Sequence, residues 1–143
     1  MEQATVLFKE KVIPAILLHT KSPDIQYLSE KFLEYCNYRL YFNHEEDYEY
    51  VTEVYDEFNV FNKKFIKRVA ACVGYPPQAI QDLIEIQDAE DKIPVCYVNY
   101  HGIRFECKVG NEFECLRMIS WLYEIPDHLK TKVSVKYAKV KKG

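Results

Sequence analysis

Long apolar runs are missing from this chain, and their absence sets the first limit. The longest early run, Val12 to Leu18, is far too short to span a bilayer. Glu2, Lys9, Glu10 and Lys11 interrupt the first segment, so no signal-peptide pattern forms there. Glycine is scarce, at 4 residues, and neither a P-loop nor a Gly-x-Gly-x-x-Gly can be found among them. A Gly-x-Ser-x-Gly elbow is absent too. The five cysteines, at 36, 72, 96, 107 and 115, are odd in number and include no Cys-x-x-Cys. Of the four histidines (19, 44, 101 and 128), none stands at zinc-ligand spacing from another His or a Cys. The expectation is a soluble, cytoplasmic protein with reduced thiols, no membrane segment, no cofactor, no metal and no catalytic residues.

What is present is a globular composition. The 143 residues are 48% hydrophobic and suffice for one domain, residues 1–143, with a sizeable core. Aromatics are abundant, with 12 Tyr and 8 Phe; tyrosine suits half-buried positions and surfaces that meet a partner. Net charge is -3, which gives no general drive toward nucleic acid. The charges are unevenly spread. Glu45 to Glu57 holds seven acids and no Lys or Arg, and Lys130 to Lys142 holds six lysines and no acid.

Residues 4–18 fit either strand or helix, with Pro14 marking an edge strand or a break. Ser22-Pro23-Asp24 has the makings of a helix start, with Ile25, Leu28, Phe32 and Cys36 on one face of the helix that would follow. Tyr38 to Phe42 is a short aromatic strand. Val51, Val54, Tyr55 and Phe58 follow the i, i+3, i+4, i+7 spacing of an amphipathic helix with its acids outward. Phe61, Phe65, Val69 and Val73 predict another, and Gln78 to Gln87 a third, with Ala79, Ile80, Leu83 and Ile84 inward.

The strongest local pattern is a hairpin over Ile93 to Val109. His101-Gly102 supplies a turn that tolerates positive φ. A two-residue loop sets Cys96 opposite Cys107, Val98 opposite Phe105 and Tyr100 opposite Ile103, all on one apolar face; a four-residue loop would shift the partners by two and keep both faces, so the pattern selects the register's parity. Tyr97, Asn99, Arg104, Glu106 and Lys108 fall on the polar face. Cys96 and Cys107 read as reduced core thiols at a hydrogen-bonded position. A helix over Glu112 to Glu124 follows, with Phe113, Leu116, Ile119, Leu122 and Tyr123 available for burial. A strand over Lys132 to Val140 sets Val133, Val135 and Tyr137 on one face. The fold class is therefore α+β, with a helical part, an antiparallel hairpin, a helix and a C-terminal strand.

Ile66 to Glu85 has the apolar skeleton of a helix-turn-helix. Ala70 stands four before Gly74, and Ile80 and Leu83 follow at helical spacing. With the hairpin as a wing, residues 61–109 take the order of a winged helix. A DNA-binding regulator would then use Lys64, Arg68, Gln78, Gln81, Arg104 and Lys108. Charge opposes this use. Asp82 and Glu85 on the second helix repel phosphates, and Glu45 to Gly110 contains 13 acids against 7 bases. The leading expectation is a non-enzymatic adaptor or regulator that binds another protein, with nucleic acid not favoured. The outward residues of the acidic segment, Glu46, Tyr48, Glu49, Tyr50 and Glu53, are the candidate contacts. His44-Glu45-Glu46-Asp47, the one dense His/carboxylate cluster, reads as a helix entry rather than a metal site.

Overall fold

A computed structural model describes residues 1–138, and the chain divides into two compact units, Met1–Gly74 and Tyr75–Gly143. Each unit combines helices with one three-stranded antiparallel sheet, so the class is α+β. Among the described residues no helix is long and apolar enough to cross a membrane.

In the first unit, α1 (Gln3–Lys9) leads into β1 (Ala15–His19), which resolves the ambiguity over residues 4–18. Asp24 ties this segment together. It is buried and accepts hydrogen bonds from the Thr5 hydroxyl at 2.6 Å and the Glu2 amide at 2.9 Å, which hold its carboxyl below the usual range. The helix expected from Ser22 to Cys36 is corrected. Ser22 does cap, accepting from the Asp24 amide, but only a 3-10 turn over Pro23–Tyr27 follows. Phe32–Tyr35 is instead strand β2, paired with β3 (Tyr38–Phe42). Cys36 and Asn37 make the tight turn, both at positive φ (48° and 64°). Pairing across that turn outweighs a local helical pattern, because aromatic cross-strand pairs such as Tyr35 with Tyr38 stabilise the sheet. Sheet order is β1-β3-β2.

One face of that sheet packs under α2 (Glu45–Thr52) and α3 (Lys63–Cys72). Ala15, Leu40, Phe42, Val51, Phe65, Val69 and Cys72 form the core. The acidic helix is shorter than its spacing predicts. It stops at Thr52, and Phe58 and Phe61 are 90% and 70% exposed rather than buried. Local polar groups explain the stop. The Asp56 carboxylate accepts the Phe58 amide, and Asn62 caps α3 by accepting from Phe65 N.

In the second unit, α4 (Pro77–Asp88) precedes the hairpin of β4 (Val95–Tyr100) and β5 (Ile103–Lys108). The pairing is that of the two-residue loop, Cys96 with Cys107, Val98 with Phe105 and Tyr100 with Ile103, and it keeps the predicted face parity. His101 and Gly102 turn the chain at φ 52° and 108°. Val109 N donates to Pro94 O, which puts Cys96 and Cys107 at a hydrogen-bonded position two residues on. The closing strand β6 (Val133–Tyr137) pairs with β4, so the order is β5-β4-β6; Lys139 and Val140 of the predicted strand lie outside the described residues.

The helix α5 (Glu112–Leu122) forms where expected and buries Ile119 as expected, but its inward face is turned toward Cys115 and Glu112. Cys115 and Ile119 are buried, with Glu112 beside them, whereas Phe113 and Leu122 are 74% and 53% exposed. Glu112 explains the rotation. Its carboxylate accepts from Gly110 N at 2.6 Å and from the Tyr137 hydroxyl at 3.1 Å, which draws position 112 inward and turns position 113 out. The hydrogen bond from its own backbone amide, then those from Gly110 and Tyr137, hold its carboxyl below the usual range against the opposing effect of burial.

Candidate functional site

Four places could carry chemistry or recognition, and each is built differently. The first is a buried cluster in the second unit. Strands β4 and β5 bring the thiols of Cys96 and Cys107 to 3.3 Å, and the Asp82 carboxylate and the Cys107 and Cys115 thiols lie within 4.8 Å of one another. As a metal site this donor set fits badly. Asp82 Oδ1 accepts from Gln78 Nε2 and Asn111 Nδ2, and Oδ2 accepts from Lys108 N and Asn111 Nδ2. Both lone-pair directions of each oxygen are thus occupied. Burial pushes the Cys96, Cys107 and Cys115 thiols up to about 12, whereas a ligand or nucleophile must be a thiolate. The cluster is a hydrogen-bonded core. Asp82, which a DNA-facing helix would turn toward phosphates, is 1% exposed.

The accessible thiol is Cys36, on the β2–β3 turn, while Cys72, Cys96, Cys107 and Cys115 are buried. Alkylation of native protein without reductant should therefore label one cysteine quickly. Denaturation should raise the count to five by mass spectrometry. A stable species from fresh protein that takes only three labels when denatured would show a disulfide and overturn the reduced state.

The second place is the acidic surface of α2. Glu46 and Glu49 are exposed, as predicted. The other three candidate contacts are already engaged. Tyr48 packs edge-on against Phe42 and holds the Lys31 ammonium 3.9 Å from its ring centre. Tyr50 lies under the Arg68 guanidinium at 4.4 Å, and Glu53 accepts from Arg68 at 2.7 Å. Lys31 also pairs with Glu45. Two cations therefore partly neutralise this segment, which the sequence alone left uncompensated.

The residues of the winged-helix reading fare similarly. Arg68 is bound to Glu53 and to the Tyr50 carbonyl, Lys108 pairs with Glu85, Gln78 donates to Asp82 and Gln81 to Glu85. Lys64 and Arg104 remain exposed. Helices stand on either side of Gly74 (φ 111°) in the sequence, α3 in the first unit and α4 in the second.

The third place is the outward face of α5. Phe113, Arg117 and Trp121 follow one another at i, i+4, i+8 and so form one stripe. Phe113 and Trp121 are 74% and 78% exposed. Arg117 lies 5.0 Å from the Trp121 ring centre and pairs with Glu114. Sequence reasoning missed the stripe because it assigned Phe113 to the core. The signal was there in the i+4 spacing of two aromatics around an arginine.

The fourth is a groove of about 440 Å³ on the polar face of the second sheet, lined by residues that include Tyr97, Arg104, Glu106, Lys132 and Lys136. No family profile matches the chain, and no curated protein or solved structure matches it.

Proposed function

We propose that this chain is a non-enzymatic adaptor or regulator that binds another protein through the outward face of α5. The exposed stripe of Phe113, Arg117 and Trp121 is the observation that carries this reading. Scattered apolar residues on a surface are ordinary, but two large exposed aromatics flanking an arginine in one line are not. Tryptophan, tyrosine and arginine dominate the energy of protein interfaces, because large flat groups exclude water at low entropic cost. Arg117 is already held by Glu114 and Trp121, so little ordering remains to be done on binding. The exposed acids Glu46 and Glu49 support a secondary, steering role toward a basic partner. A reducing, cytoplasmic setting suits the four buried thiols.

An affinity pull-down from native lysate, with and without nuclease, tests this. A protein partner should survive nuclease. Trp121→Ala and Phe113→Ala should each weaken its capture by about tenfold or more, the loss expected for a hot-spot residue. Both side chains are exposed, so the melting temperature should stay within a few degrees. Reversing Glu46 and Glu49 to Lys should slow association at low ionic strength only. Glu53 is left out of that test because its loss would release Arg68. Capture that disappears with nuclease, or is indifferent to Trp121→Ala, would overturn the reading, the former in favour of the DNA-binding regulator.

A further inference from the structure

The groove on the second sheet is not used by the α5 reading, and its lining has a chemistry of its own. Antiparallel pairing fixes that lining. On the polar face, Tyr97 of the central strand stands between Glu106 of β5 and Lys136 of β6. Asn99 stands between Arg104 and Ser134 in the next row. Lys132 adds a further cation at the entry to β6, where its carbonyl accepts from His101 N. Three cations thus line the groove with one carboxylate. Among the described residues, none of Arg104, Lys132 and Lys136 has a carboxylate partner within 4.0 Å, whereas Lys31, Arg39, Arg68, Lys108, Arg117 and Lys130 do. Tyr97 is 50% exposed in their midst. Asn99 commits its Oδ1 to Gly102 N at 2.8 Å, which leaves its amide N–H groups to donate outward.

We propose that this face binds a nucleotide unit, with the phosphate held by Arg104, Lys132 and Lys136 and the base stacked on Tyr97. Each part of the ligand answers one feature. Unpaired cations around a groove favour an anion, and a guanidinium fits phosphate oxygens in pairs. An exposed aromatic on a central strand offers a π-face, the platform on which sheet proteins stack unpaired bases. Asn99 and Ser134 can reach a base edge or a sugar hydroxyl. A volume of about 440 Å³ is within the range of small-ligand sites. An acidic peptide would satisfy the cations and leave Tyr97 unused. A duplex hides its base faces, so duplex DNA should bind more weakly than a single strand. The overall negative charge of the chain limits the affinity but not the local preference. A free nucleotide and a single strand share this chemistry.

Fluorescence anisotropy of the full chain separates them. One arm uses a short labelled oligothymidylate and a labelled oligouridylate; the other uses a labelled adenosine or uridine monophosphate. At low salt, micromolar binding is expected in at least one arm, weakening as salt rises. If an oligonucleotide binds much more tightly than the monophosphates, the ligand is a strand; comparable affinity makes it the free nucleotide. Tyr97→Ala should weaken binding about tenfold, the usual loss of one stacked base. Arg104→Ser with Lys136→Ser should weaken it further and flatten the salt dependence. Trp121→Ala should leave it unchanged, which keeps this site separable from α5. All these side chains are exposed, and far-UV circular dichroism checks that each variant folds. The proposal fails if neither arm binds at low salt. It also fails if Tyr97→Ala is without effect, or if labelled polyglutamate binds as tightly as the oligonucleotides, since the face would then recognise charge alone.

Discussion

Asp82→Ala should destabilise the protein by about 3–5 kcal/mol, a large fraction of a typical domain's 5–15. The reason is the number of groups that converge on one buried carboxylate. Lys108 N reaches Oδ2 at 3.0 Å, and Asn111 Nδ2 spans both oxygens at 3.1 and 2.9 Å. Gln78 Nε2 donates to Oδ1 at 2.9 Å from one turn earlier on α4. The carboxylate thus fastens α4 to the end of β5 and to the residue that opens α5. Removing it leaves the Lys108 and Asn111 donors without acceptors, and that cost exceeds the value of the bonds themselves. Asp82→Asn should fall between, because one oxygen remains but an amide NH₂ now faces donors. Glu85→Ala is the control. It sits one turn along the same helix and pairs with Lys108, but its side chain is 43% exposed. Urea melts should show little change for it, since solvent screens an exposed pair. Equal midpoints for Asp82→Ala and Glu85→Ala would show that the buried carboxylate is not an anchor.

Asp82 also marks where sequence reading stops. A carboxylate on a helix is ordinarily outward, and its three partner residues lie 4, 26 and 29 positions away. Only the last two distances bring it inside, and no local pattern reveals them. The same reasoning covers the first unit. Phe32 to Tyr35 carries a helical spacing, yet the strand wins because Tyr38 to Phe42 is there to pair with it. Helix α5 was readable as a helix but not in its rotation, since Glu112 is turned inward by Gly110 and by Tyr137, 25 residues on. The groove was half legible. The hairpin pattern named Tyr97, Asn99, Arg104 and Glu106 as one face. Their meeting with Lys132 and Lys136 depends on the pairing of β6 with β4, which joins segments more than thirty residues apart. The acidic segment shows the reverse problem: its charges were plain in the sequence, but the cations that temper them, Lys31 and Arg68, come from other elements.

Where the constraint is local and has a parity, the reading succeeds, and Val98→Asp tests that success most sharply. Val98 is 2% exposed on the central strand, with Phe105 on one side and Val135 on the other. A carboxylate there has apolar neighbours and no cation from either adjoining pair, so it must be desolvated without compensation. The expected loss is ~3–5 kcal/mol, seen as a much lower melting temperature or as failure to fold. Asn99→Asp, one residue along, should behave oppositely. Asn99 faces the groove, and an aspartate keeps the oxygen that accepts from Gly102 N. Its stability change should stay within ~1 kcal/mol, as for most surface substitutions. It should nevertheless weaken binding of an anionic ligand, because it sets a negative charge between Arg104 and Ser134. A strand has a side-chain period of two, so a one-residue slip exchanges its faces. A larger loss for Asn99→Asp than for Val98→Asp would therefore mean that the register is shifted. The apolar face would then be the wet one, and the groove would lose Tyr97 and Arg104 together.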